Sequence, residues 1–167
     1  MSSQIYKNKT KLILSVEEVI SSLRSFDVNF VLIGSEVGKI YNLCEHTKDI
    51  DLLINPSITN FKKLYRYLKE YFDINFKSLY SLDRIVLLVK EKTIEIFIHD
   101  ALFVDYNFNK SNQIKHAFFN NIVTILSEGE YIDSVKKCII YHTSKQNLES
   151  ASKYINILNK HNKKYSI

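Results

Sequence analysis

Apolar residues first recur at helical spacing in SVEEVISSLRSF, residues 15–26, where Val16, Val19, Ile20 and Leu23 form one stripe. Ser15 and Glu18 supply an S-x-x-E capping box ahead of it, so the pattern predicts a helix with a defined start. VNFVLI (28–33) reads as a buried strand, and Gly34-Ser35 turns the chain into a helix over about 36–44. DIDLLI (49–54) reads as a second strand. Asn55-Pro56-Ser57 then breaks the chain before an amphipathic helix over about 59–72. In that helix Ile58, Phe61, Leu64, Tyr65, Leu68 and Phe72 are expected to face inward, with Lys62, Lys63, Arg66 and Lys69 largely outward. Strand-like segments follow near 74–79, at RIVLLVK (84–90) and at TIEIFIHD (93–100). The last stretch is helical in pattern, with 127–143 and 147–161 expected to form an antiparallel pair. Together these predict an α/β (α+β) fold: a mixed sheet flanked by helices with a C-terminal helical extension.

The length of 167 residues suits one domain over 1–167, with a core at 12–105 and the helical pair at 127–163. A hydrophobic fraction of 46% is enough for a real core, and no apolar run approaches the roughly 18–20 residues that span a bilayer. The N-terminal MSSQIYKNKTKLIL lacks the apolar core and cleavage site of a signal peptide, which makes the cytoplasm the expected location, with no membrane partner. Cys44 and Cys138 lie far apart and form no CxxC, which argues against a zinc site or a disulfide framework. The net charge of +5 is compatible with nucleotide or nucleic-acid partners. The lysine-rich face of 59–72 reads first as a solvated surface.

Chemistry concentrates in the second strand. Side chains alternate across a strand, so Asp49 and Asp51 share one face while Ile50 and Leu52 point into the core. Removing carboxylates from water is costly unless something compensates the charge, and a divalent ion compensates both. TIEIFI repeats the pattern: Ile94, Ile96 and Ile98 form an apolar face and leave Glu95 on the other. If that strand neighbours 49–54, the three carboxylates make an oxygen-only cluster suited to Mg²⁺. Two ions about 3.5–4 Å apart in such a cluster activate an attacking oxygen and stabilise a leaving one. Gly34 allows a sharp turn and close approach to a phosphate, while Ser35 can cap the following helix or bind a phosphate oxygen.

An apolar strand, Gly34-Ser35, and then Asp49-Ile50-Asp51-Leu52, with Glu95 in a later apolar strand, resembles the nucleotidyltransferase superfamily typified by DNA polymerase beta. LIGSEVGKIYNLCEHTKDIDLLI is most similar to the minimal and abortive-infection-toxin-type members, whose R-x-T-x-D-I-D-L run is matched at Thr47, Asp49, Ile50, Asp51 and Leu52. Glu45 stands where an arginine is common. The resemblance covers 28–98 and extends faintly into EYIDSVKKC, where Lys136 fits a lysine near the nucleotide phosphates. It departs at QNLES, where Asn147 and Ser150 occupy positions that are often acidic.

The resemblance implies that Asp49 and Asp51 bind both Mg²⁺ ions, and that Glu95 binds the catalytic one and helps deprotonate the acceptor hydroxyl. It implies that Ser35 and the Gly34 backbone hold the β and γ phosphates of a nucleoside triphosphate such as ATP, with Lys136 nearby. The expected activity moves a nucleoside monophosphate onto a hydroxyl of RNA, protein or a small molecule, in a setting that includes toxin–antitoxin pairs. A helical partner protein or a homodimer is the expected assembly. The alternative is a catalytically silent module of the same fold that binds nucleotide, RNA or a protein.

Other chemistries have less support. His99-Asp100 would need further histidines at metal spacing, and His46, His116, His142 and His161 do not supply them. No serine lies in a G-x-S-x-G elbow. Arg84 and Lys48 read first as surface cations.

Overall fold

A computed structural model describes residues 3–6, 14–45, 47–72, 82–98 and 103–166. The strands are β1 (Ser3–Tyr6), β2 (Phe30–Ile33), β3 (Asp49–Ile54), β4 (Arg84–Leu88), β5 (Thr93–Phe97), β6 (Ile114–Phe118) and β7 (Asn121–Ile125). The helices are α1 (Val16–Ser25), α2 (Gly34–Ile40), α3 (Ile58–Tyr71), α4 (Glu128–Ser144) and α5 (Leu148–Tyr165). The strands form one mixed sheet in the order β1-β4-β5-β3-β2-β7-β6. The mixed α/β class and the closing helical pair expected from the pattern are both present. Among the described residues no helix is long and apolar enough to cross a membrane.

The apolar stripes explain the packing. Val16, Val19, Ile20 and Leu23 are fully buried in α1, whose start is closed by the expected capping box of Ser15 and Glu18. Leu64, Tyr67 and Leu68 are fully buried in α3, and Tyr67 stacks edge-on with Phe26 and Phe72. α1 packs on α3 and β7, while α2 packs on β3 and α4. Asn60, buried on α3, donates from Nδ2 to the carbonyls of Asn29 and Asn55 at 2.9 and 3.0 Å. It thereby ties the start of β2 to the end of β3.

Several expectations are corrected. The helix after β2 runs over Gly34–Ile40 rather than 36–44, and its cap position is Ile33, with no side-chain cap. Ser35 therefore lies inside α2 and does not cap it. Ile58, expected inward, is exposed because it opens the first turn of α3, ahead of the stripe that meets the sheet. The antiparallel hairpin β6–β7 was not anticipated. The segment near 74–79, His46 and His99-Asp100 lie outside the described residues.

Candidate metal centre and adjoining cavity

β3 and β5 pair in parallel with Asp51 beside Glu95 and Asp49 beside Thr93. Ile50, Leu52, Ile94 and Ile96 are fully buried, so both strands hold one register and present their carboxylates on the opposite face. One oxygen each from Asp49, Asp51 and Glu95 lies within 4.8 Å of the others. The three acids singled out from the sequence are thus brought together, in an arrangement that can bind a metal ion.

Gly34 makes the arrangement possible. Ile33 pairs with Asp51 across β2 and β3, and the next residue turns with φ +69°. A Cβ there would fall 2.0 Å from Asp51 Oδ2, so only glycine lets the carboxylate rest against this backbone.

The electrostatics of the cluster favour a cation. Burial, then the charges of Asp49 and Glu95, push the Asp51 carboxyl up to about 8. Arg84 Nη1 donates to Glu95 Oε2 at 2.6 Å, and its guanidinium lies 5.9 Å from the centre of the Phe97 ring. Arg84 is bonded to Glu95, and the oxygen-only donors of the three acids match a hard divalent ion. The donor set fits the expected metal.

A cavity of about 280 Å³ opens over Asp49 and Asp51. Gly34 and Ser35 line it on the sheet side; Tyr131, Ser134, Val135 and Cys138 of α4 and Lys153, Tyr154 and Ile157 of α5 form the facing wall. The C-terminal helices therefore complete the site. Burial pushes the Cys138 thiol up to about 11 and also raises the Tyr154 hydroxyl. Both are neutral lining groups at ordinary pH.

Lys136 is not part of this wall. The cavity takes the 131, 134, 135, 138 stripe of α4, and a residue one position on is rotated by about 100°. Lys136 instead pairs with Asp133 at 3.1 Å and lines a neighbouring pocket with Asp105 and Glu130. The lysine in the cavity is Lys153, which sequence reasoning missed. Arg84, read as a surface cation, is the counter-charge of Glu95. Asn147 serves as the cap of α5, its Oδ1 accepting from Ser150 N at 3.1 Å, which gives both residues of QNLES a structural use.

Beside the cluster, Glu36 of α2 is buried and held by Lys92 Nζ and Thr47 Oγ1, which also bond one another. This knot joins α2, the approach to β3 and the β4–β5 turn. No family model, curated protein or solved structure matches the chain.

Proposed function

We propose that the chain is a Mg²⁺-dependent nucleotidyltransferase that moves a nucleoside monophosphate from a nucleoside triphosphate to a hydroxyl acceptor. The observation that carries this reading is the three-carboxylate cluster in which Asp51 rests against Gly34 and Asp49 and Asp51 line a cavity shared with Ser35 and Lys153. Asp49, Asp51 and Glu95 would hold the metal, which when bound supplies charge stabilisation for in-line displacement at the α phosphate. Ser35, which lines the cavity, would bind a phosphate oxygen, and Lys153 would offer a positive charge for the triphosphate. Glu95, oriented by Arg84, is the carboxylate nearest a role as proton acceptor for the attacking hydroxyl. The apolar and aromatic wall of α4 and α5 excludes water and gives a base a surface to stack on.

The test is transfer of label from α-phosphate-labelled nucleoside triphosphates to total RNA and to protein, with Mg²⁺, comparing wild type with Asp49→Asn. Label that vanishes by about a thousandfold or more in the variant is expected if metal-held charge carries the step. Undiminished transfer by Asp49→Asn would overturn the assignment.

A second reading, a catalytically silent nucleotide-binding module, is favoured by two observations: Arg84 already pairs with Glu95, and neither Asn147 nor Ser150 is acidic. Triphosphate and Mg²⁺ binding without transfer is its expected outcome.

A further inference from the structure

A second groove, about 610 Å³, lies along α5. It shares Lys153 and Ile157 with the cavity and continues past Asn156 and Asn159 to Lys160 and Lys163, against the segment 43–45. Three lysines line it against one carboxylate, Glu45, which Lys160 meets at 3.3 Å. The positions 153, 156, 160 and 163 recur at helical spacing, so one face of α5 carries a continuous polar, basic track.

We infer that this track holds the 3′-terminal segment of a single-stranded RNA, placing its end over Asp49 and Asp51. The inference rests on the transferase reading and names its acceptor. Lys153 to Lys163 spans ten residues, about 15 Å of helix, longer than the linked phosphates of one nucleotide. Ser35 already serves the donor's phosphates in the proposed site. A polynucleotide presents a negative charge at every residue along such a track and ends in the hydroxyl that the reaction needs. Asn156 and Asn159 add amide donors and acceptors that match ribose 2′-hydroxyls and unpaired base edges. The groove shares Lys153 and Ile157 with the cavity, so a strand lying in it ends beside the cavity's wall.

The experiment is fluorescence anisotropy with a short labelled RNA bearing a free 3′ end, in EDTA, so that binding is read without catalysis. Lys160→Ala/Lys163→Ala is compared with Lys62→Ala/Arg66→Ala, which removes the same charge from exposed positions of α3. All four positions are exposed and helical, and alanine suits a helix. The α5 pair is expected to weaken binding by roughly tenfold at moderate salt. It should also lower the slope of log affinity against log salt by about 1.4, since each phosphate left without its lysine accounts for about 0.7. The α3 pair is expected to change affinity less than about twofold, as for charges remote from the strand. Equal weakening by both pairs, no RNA binding by wild type, or DNA of the same sequence bound as tightly as RNA would overturn the inference. So would an α5 pair that lost affinity for nucleoside triphosphate while keeping RNA. RNA binding without label transfer sinks the transferase reading and leaves the groove assignment standing, and transfer without groove-dependent binding does the reverse.

Discussion

Glu36 and Asp51 both lie beside the Gly34 turn, one buried and one half-buried, and differ in what answers their charge. Glu36 is 5% exposed, and Lys92 and Thr47 meet it from the same chain. Asp51 has Asp49 and Glu95 for neighbours, and Arg84 beside them is bonded to Glu95. The two acids therefore show side by side how a buried carboxylate is made structural and how a half-buried one is left wanting a partner. A paired acid costs little to bury because its counter-charge is buried with it. A cluster of acids with too few cations is unfavourable unless something from outside completes it, and that imbalance marks a binding site.

Removing the internal counter-charge should have the largest effect on stability. Lys92→Ala leaves Glu36 buried and unpaired, and is expected to cost about 3 kcal/mol, lowering Tm by roughly 6–12 °C. Thermal denaturation in EDTA reads this directly. A variant that melts with wild type would erase the distinction between the two acids, because Glu36 would then tolerate isolation as Asp51 does.

Gly34→Ala probes the other side at somewhat smaller cost. The added Cβ meets Asp51 Oδ2, and φ at +69° is unfavourable for alanine. About 2 kcal/mol of destabilisation is expected. The displaced carboxylate should also abolish the rise in Tm that Mg²⁺ gives wild type, a readout that Lys92→Ala should preserve. Loss of the Mg²⁺ response in both variants would mean that the paired acid belongs to the metal site after all.

The contrast was only half legible in the sequence. Period-two alternation of Ile50, Leu52, Ile94 and Ile96 with acids is a local signal, and it brought Asp49, Asp51 and Glu95 to one face before any neighbour was known. Pairing is not local. Nothing near Lys92 says that a β4–β5 turn will fold over α2, and nothing near Arg84 says that Glu95 lies diagonally across the adjacent strand. Lys153 was invisible for the same reason: its helix is amphipathic on its own account, and only packing of α5 on α4 brings it over the cavity. The β6–β7 hairpin escaped because its turn uses Phe119 and Asn120 at φ 44° and 56°, where Asn-Gly or Asp-Gly would be the readable pattern.

The smallest expected effect discriminates most finely, because it should go the opposite way from the first two. Asp51→Asn removes a charge that has no internal partner, so in EDTA the variant should be more stable than wild type. The sign follows from proton binding. The Asp51 carboxyl has an ordinary value of 3.8 and is raised to about 8 in the folded protein. Between those limits the native state holds a proton that the unfolded chain has released, so wild-type stability falls as pH rises. Asparagine has no proton to lose. The advantage of Asp51→Asn should therefore be negative at pH 4, where the amide only costs the acid's hydrogen bonds, turn positive towards neutrality and level off above pH 8. Its expected size is about 1 kcal/mol near pH 7, or roughly 2–4 °C in Tm, since the amide must find its own hydrogen-bond partners. Saturating Mg²⁺ should reverse the order by stabilising wild type alone, because ligand that binds only the native state raises stability. A flat difference across pH would place the charge of Asp51 in water, and the cluster would then be no more in need of a cation than an acidic surface patch.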